Sequence, residues 1–214
     1  NARGETVLLG RGGSDTSAAY FATRLQAKGL EIWTDVPGIF SADPHTVPGA
    51  RLLKALRYEE AQEIASTGGS VLHPRSISPV RRAGIPLLIK CTSRPDVVGT
   101  LIAADAGDDA PRVKAISSRC GITLVSMETL GMWEEVGFFA EAFKCFSDLG
   151  ISIDLVSTSG SNVTVTLDPN TNSMDASMLA RLEQNLARLC RVRIVTDVAV
   201  VSLVGQKIRA MLHE

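Results

Sequence analysis

A glycine-rich turn set between an apolar run and a helical pattern constrains this chain more than any other feature. It reads Thr6-Val-Leu-Leu-Gly-Arg-Gly-Gly-Ser-Asp15, and Thr16-Ser-Ala-Ala-Tyr20 follows. Val7 to Leu9 is predicted as a short buried strand that breaks at Gly10, Gly12 and Gly13. An Ala-rich helix is predicted from about Asp15 to Ala27, with Ala18, Phe21, Ala22 and Leu25 on its inner face. Ser14 or Asp15 can cap it, because a short side-chain oxygen accepts from the orphan N–H groups of the first turn. Strand, turn and helix start together make an anion site, with bare N–H groups outward and the positive dipole end behind them. Arg11 adds a planar fork of donors suited to a carboxylate or phosphate.

Spacing separates the named versions of such a turn. A Walker loop needs Gly-Lys-Ser/Thr after the glycines, and none is present. The dinucleotide pattern needs a third glycine where Asp15 stands. Asp35, after a second strand, keeps that reading as a rival. A tight strand–helix turn without a ligand is the plain alternative.

The chain has 214 residues, enough for one large or two smaller domains that each bury a core. Its net charge of −1 provides no global field to recruit nucleic acid or an anionic membrane. Residues 1–103 carry +3 and residues 104–214 carry −4, which fits an anion-binding half joined to a different module. Four cysteines, Cys91, Cys120, Cys145 and Cys190, lack CxxC spacing and read as reduced thiols of a cytoplasmic protein. No apolar run reaches membrane-spanning length, and no signal segment is evident. The opening on Asn1 reads as that of a fragment.

Leu30 to Thr34 is a second strand, and strand–helix–strand spacing implies parallel pairing. The turn-rich loop Asp35 to Pro44 stands at its carboxyl end, where ligands of open α/β sheets bind. From there Thr34 and Asp35 can reach a nucleotide, and Phe40 offers a flat face to a purine. An Asx-turn role for Asp35 and a core role for Phe40 are the alternatives. Arg57 to Ala65 is a short helix with Ala61, Ile64 and Ala65 inward, stopped by Gly68 and Gly69. A helix near Arg75 to Ala83 leads into a strand from Pro86 to Lys90. His73 lacks partners at metal-ligand spacing and reads as a helix-start residue, and no metal site is expected.

Asp105-Ala-Gly-Asp-Asp-Ala-Pro111 has linker composition, so the expected domains are 1–103 and 113–214 with a linker at 104–112. Strands are predicted at Val113 to Ile116, Ile122 to Ser126, Ile151 to Val156, Val163 to Leu167, Val192 to Val195 and Val198 to Val204. The helix Gly137 to Leu149 carries Phe139, Ala142, Phe143, Phe146 and Leu149 at the 3.6-residue period. The helix Ser177 to Cys190 turns Leu179, Leu182, Leu186 and Leu189 inward. From Ile122 to Val195 the order is βαββαβ, a ferredoxin-like unit. The fold class is therefore α/β: a parallel-sheet part followed by a ferredoxin-like domain.

Gly10-Arg-Gly-Gly-Ser-Asp15, Trp33-Thr-Asp-Val-Pro-Gly-Ile-Phe40, Asp43-Pro44 and Val71-Leu-His-Pro74 resemble aspartate kinase, and the likeness runs along nearly the whole chain. The lysine-regulated type is the better match, and Val201 to Leu212 also resembles forms fused to diaminopimelate decarboxylase. This resemblance implies ATP with Mg²⁺ and L-aspartate as substrates, giving 4-phospho-L-aspartate. It implies a nucleotide-binding part at 1–103 that is the end of an amino-acid kinase domain. It also implies ACT regulatory units, the first at about 120–196 and the second incomplete, which pair in a homodimer. Val113 to Ser117 and Val198 to Leu203 would be strands of that second unit.

By resemblance, Arg11, Gly12, Gly13, Ser14 and Asp15 bind substrate, with Asp15 catalytic. Thr34, Asp35, Phe40, His45, Ser70 and Val71 belong to ATP. The pattern departs at His45 and Ser70, where the family carries an arginine and a lysine. The family's opening Lys-Phe-Gly-Gly-Thr motif is absent, so this chain alone is expected to be inactive. Met132, Glu135, Gly137, Phe138, Phe139, Asp154, Thr158 and Ser159 are implied to hold an amino-acid effector. Glu134 and Glu135 favour lysine over threonine as that effector, while Gly160 stands where lysine-regulated relatives often carry an acid. A related amino-acid kinase acting on another acid and a non-catalytic amino-acid sensor are the alternative readings.

Overall fold

The computed structural model describes residues 4–10, 12–69, 71–107, 110–129 and 136–211. They divide into two compact units, residues 1–118 with 201–214 and residues 119–200.

The first unit opens with α1 (Gly13–Arg24), β1 (Leu30–Thr34), β2 (Ala55–Leu56), α2 (Tyr58–Ser66), α3 (Pro74–Ala83), β3 (Leu87–Cys91) and β4 (Thr100–Ile102). Its sheet runs in the order β1-β3-β4-β2. The β1–β3 pair is parallel from Leu30↔Leu87 to Thr34↔Cys91, as a strand–crossover–strand requires. β4 turns antiparallel against β3. Leu56, Ile77, Val80, Leu87, Ile89 and Ile102 form the centre of the core, each at 1% exposure or less. Tyr58 is buried beside them and donates its hydroxyl to the Ile85 carbonyl at 2.7 Å; burial pushes its pKa up.

Two expectations at the start of the chain fail. Val7 to Leu9 forms no strand, and Leu8 is 94% exposed, because no strand among the described residues pairs with the run. In α1 the buried residues are Ala19 and Ala22, whereas Phe21 and Leu25 are exposed. The larger apolar residues marked one face, but the contact with neighbouring elements uses small side chains that let backbones approach. The helix also ends earlier than predicted, at Arg24, where Gln26 takes the left-handed conformation at φ 51°. Neither Ser14 nor Asp15 caps it: Gly12 holds the cap position at φ 69° with no side-chain bond.

A buried ion pair lies deep in this unit. Lys114 Nζ sits 2.6 Å from Glu60 Oε1 and 2.8 Å from Oε2, and both side chains are almost fully buried. Glu60 Oε2 also accepts the Arg57 N–H at 2.8 Å, which completes the start of α2.

The second unit contains most of β5 (Arg112–Glu128), then α4 (Phe138–Asp148), β6 (Leu155–Thr158), β7 (Asn162–Leu167), α5 (Ala176–Leu186) and the first part of β8 (Arg191–Gln206); α6 (Ile208–Met211) follows. The order is βαββαβ, and the sheet order β6-β7-β5-β8 is that of a ferredoxin-like fold. β7 pairs antiparallel with both β5 and β6. Phe146, Met127, Val165, Leu167, Leu182 and Leu186 are buried between sheet and helices, and the aromatic stripe of α4 is core as the period requires.

The four strands expected at the two ends of this region are two long ones. Gly121 in β5 lies at φ 72° and Asp197 in β8 at φ 57°. Each lets its strand bend without stopping, the effect of a single left-handed residue in a ladder. Before Gly121, Ala115 of β5 joins the core of the first unit, as does Val204 of β8. Ile151 to Asp154, expected as strand, has no regular structure; β6 begins at Leu155.

Candidate functional site

The glycine turn and the His73 segment, far apart in sequence, meet. A Cβ at Gly12 would lie 2.2 Å from His73 Cγ, so only glycine fits the point where the chain enters α1. Asp15 in the first turn of α1 accepts the His73 N–H through Oδ2 at 3.2 Å. His73 caps α3, with Nδ1 accepting the Arg75 N–H at 3.2 Å and Pro74 at the first helical position. Two helix N-termini thus converge on one carboxylate, which suits the positive end of each dipole. The side chains of Thr16 and Ser17 donate back to the Gly12 and Gly13 carbonyls at 2.8 Å, and the Gly13 N–H donates to the Gly10 carbonyl at 3.2 Å. Arg11 lies outside the described residues.

At the carboxyl end of β1, Thr34 donates its hydroxyl to Asp35 Oδ1 at 2.9 Å. The Thr92 N–H and hydroxyl both hold the Thr34 carbonyl, at 2.8 and 3.0 Å. The loop then folds onto the core at Gly38, where φ is +145° and an added Cβ would strike Thr100 Oγ1 at 2.3 Å. Thr100 Oγ1 accepts the Ile39 N–H and donates to the Leu53 carbonyl, so the buried hydroxyl is satisfied both ways. Beyond the turn, Phe40, Asp43, His45, Val47 and Val71 line a cavity of about 330 Å³. Thr34 and Asp35 do not line it, and Ser70 lies outside the described residues.

Ala115 to Ser118 of β5 form a further wall of this cavity that no local pattern marks. The Ile116 N–H donates to the Ser41 carbonyl at 2.8 Å, and the Ser117 hydroxyl donates to Thr67 Oγ1 at 2.7 Å. Thr67 is the cap residue that ends α2 before Gly68 and Gly69. β5 therefore ties together the two loops that carry Phe40 and Val71. These ties join residues 50 and 75 positions apart, which is why no local pattern reveals them.

In the second unit, Gly137 caps α4 at φ 97°, Phe138 behind it is buried, and Phe139 is half-buried. Thr158 ends β6 and is exposed, and Ser159 donates its N–H to the Asn162 carbonyl at 2.8 Å. Met132, Glu134 and Glu135 lie outside the described residues. Asp154 is paired with Arg119, whose Nη1 also reaches Asp168 Oδ2 at 2.7 Å. Burial lowers the pKa of the Arg119 guanidinium, but the hydrogen bond and charge of Asp154, then those of Asp168, outweigh it and raise the pKa. Burial likewise raises the Asp168 carboxyl, but the Asn170 N–H, Arg119 and the Asn170 side chain hold it below its ordinary 3.8.

That shift has a sign in acid. The folded pKa of Asp168 is below the unfolded one, so its stabilisation is complete above the ordinary carboxyl range and drains as pH falls past 3.8. Asp168→Asn is expected to flatten the acid dependence of Tm between about pH 5 and about pH 2. Thermal unfolding followed by circular dichroism across that range checks it; parallel curves for parent and variant would contradict it.

Among the described residues no helix is long and apolar enough to cross a membrane. Residues 1–91 match the model of the amino acid kinase family. The lysine-sensitive aspartokinase 3 of Escherichia coli K12 is 38% identical over 205 residues, which cover 95% of this chain and 45% of that protein. The crystal structure of E. coli aspartokinase III in complex with aspartate and ADP, the R-state, superposes with a TM-score of 0.83 at 36% identity, over 97% of this chain and 47% of that one. The T-state complex with lysine and aspartate does so with a TM-score of 0.77 at 35% identity, over 98% and 49%. The chain thus spans about half the length of the relatives it matches. The mixed sheet of the first unit, the ferredoxin-like second unit and the sequence all agree with the aspartokinases along almost the whole chain.

Proposed function

We propose that this chain is the nucleotide half and regulatory start of an aspartate kinase, which transfers the γ-phosphoryl of ATP to the side-chain carboxylate of L-aspartate. The convergence of two helix N-termini at Asp15 carries the reading, because joining two anions demands fixed positive dipoles and donors more than covalent help. Gly12, Gly13 and Ser14 present backbone donors to substrate, Arg11 clamps its carboxylate, and Asp15 takes its amino group and orients the site. Thr34, Asp35, Phe40, His45, Ser70 and Val71 serve ATP, which arrives as its Mg²⁺ complex. The related enzyme solved with aspartate and ADP supports this assignment of ligands. The domains read as kinase part at 1–103, linker at 104–112 and ACT region at 113–214.

Feedback comes from an amino acid held by the 132–139 segment with Asp154, Thr158 and Ser159, in a cytoplasmic homodimer joined through ACT units. Lysine is favoured over threonine, in keeping with the relative solved with lysine. The full-length protein carrying this segment is expected to form hydroxylamine-trapped aspartyl phosphate only when both ATP and L-aspartate are present. Added L-lysine should suppress that product. Turnover with another acidic amino acid in place of aspartate would move the protein to a different carboxylate kinase.

A further inference from the structure

Arg119 is the residue that the proposed effector site does not yet explain. It stands on β5, and its fork spans two carboxylates: Nη1 to Asp168 and Nη2 to Asp154 Oδ2. The two partners are held very differently. Asp168 is fixed from behind, since its Oδ1 accepts the Asn170 N–H at 2.8 Å and the Asn170 side chain at 3.0 Å. The backbone carbonyl of Asp168 also takes the Asn172 amide, which ties the turn to Ser152. Asp154 has a fixed backbone, its N–H donating to the Thr166 carbonyl at 3.0 Å, but its carboxylate is held by Arg119 alone among the described residues. Oδ1 of Asp154 faces no partner there, and its side chain is 26% exposed.

The charges do not balance either. Two carboxylates surround one guanidinium, so this half-buried cluster carries one negative charge in excess. An ammonium at Asp154 Oδ1 would complete it without displacing Arg119. We infer that Arg119 is a positioning residue for the effector site: anchored on Asp168, it fixes the Asp154 carboxylate by one oxygen and presents the other to the effector's α-ammonium. This inference rests on the assignment of Asp154 to the effector site. It adds the reason why a single, solvent-reached carboxylate could bind an amino acid selectively: its orientation is set before the ligand arrives. Only a planar fork spans both carboxylates, so a lysine in its place would supply charge without the geometry.

A double-mutant cycle read by calorimetry on the full-length protein that carries this segment, with L-lysine and L-threonine as probes, tests it. Arg119→Gln is expected to raise the Kd of the amino acid that binds by about tenfold or more, the scale of one charge-assisted hydrogen bond. Arg119→Lys should fall within about threefold of Arg119→Gln, because orientation and not charge is lost. In an Asp154→Asn background the Arg119→Gln change should cost nothing further, since Arg119 acts through Asp154. Circular dichroism confirms the fold of each variant, and Arg119→Lys with its own Asp154→Asn cycle carries the test if Arg119→Gln does not fold. Unchanged or tighter binding in Arg119→Gln, or additive effects in the cycle, overturns the inference while leaving Asp154 in the site. Binding of neither amino acid by the full-length parent overturns both the effector assignment and the inference.

Discussion

In the full-length protein that carries this segment, Asp15→Ala is expected to lower kcat for aspartyl phosphate by two to three orders of magnitude with the fold intact. The size is that of removing one preorganised polar group from a reacting centre, roughly 2.7–4 kcal/mol. Asp15 is placed for this role by a contact outside its own helix, the His73 N–H that it accepts. Losing that single hydrogen bond costs stability on the order of 1 kcal/mol, far too little to unfold the unit. Asp15→Asn separates the two parts, since it keeps an acceptor for His73 and loses the charge. Steady-state kinetics paired with thermal unfolding reads both variants. Activity within a few-fold of the parent in Asp15→Ala would remove Asp15 from the site.

Lys114→Met should destabilise the first unit by about 3–5 kcal/mol, because it leaves the Glu60 carboxylate buried without a counter-charge. The loss is not the net worth of the ion pair, since both charges had to leave water to form it. Glu60→Gln with Lys114→Met removes the stranded charge and keeps an acceptor for the Arg57 N–H. That double variant is expected to recover at least about 2 kcal/mol of the single variant's loss. Urea unfolding of parent, single and double variants measures all three. A single variant within about 1 kcal/mol of the parent would contradict the account.

The legible part of the chain was the part written in local patterns. The α4 stripe of Phe139, Ala142, Phe143 and Phe146 repeats at the helical period and packs as core. His73 before Pro74 was readable as a helix start, and the alternation of elements from Ile122 onward was readable as a ferredoxin-like unit. What was not legible depends on partners. Val7 to Leu9 looks like any buried strand, but an apolar run becomes one only where another strand takes up its backbone groups. Gly121 and Asp197 read as breaks between strands because turn residues usually end a strand, yet here each strand runs on past its left-handed residue. In the candidate site, the Gly12–Asp15 turn was visible as a motif, whereas its meeting with His73 was not. Lys114 and Arg119 carried no signal at all, since each is a lone basic residue whose partners lie 35 to 54 positions away.

The Glu60–Lys114 pair also bears on how this sequence can change through time. A neutral, apolar pair of similar volume could fill the same space at comparable stability. Reaching it takes two substitutions, and whichever comes first passes through a protein with one lone charge in its core. For a domain of ordinary marginal stability, a step of about 3–5 kcal/mol removes much of the folded population. Descent by single changes is therefore blocked in both orders, and the two residues persist together because the route away from them crosses unfolded ground.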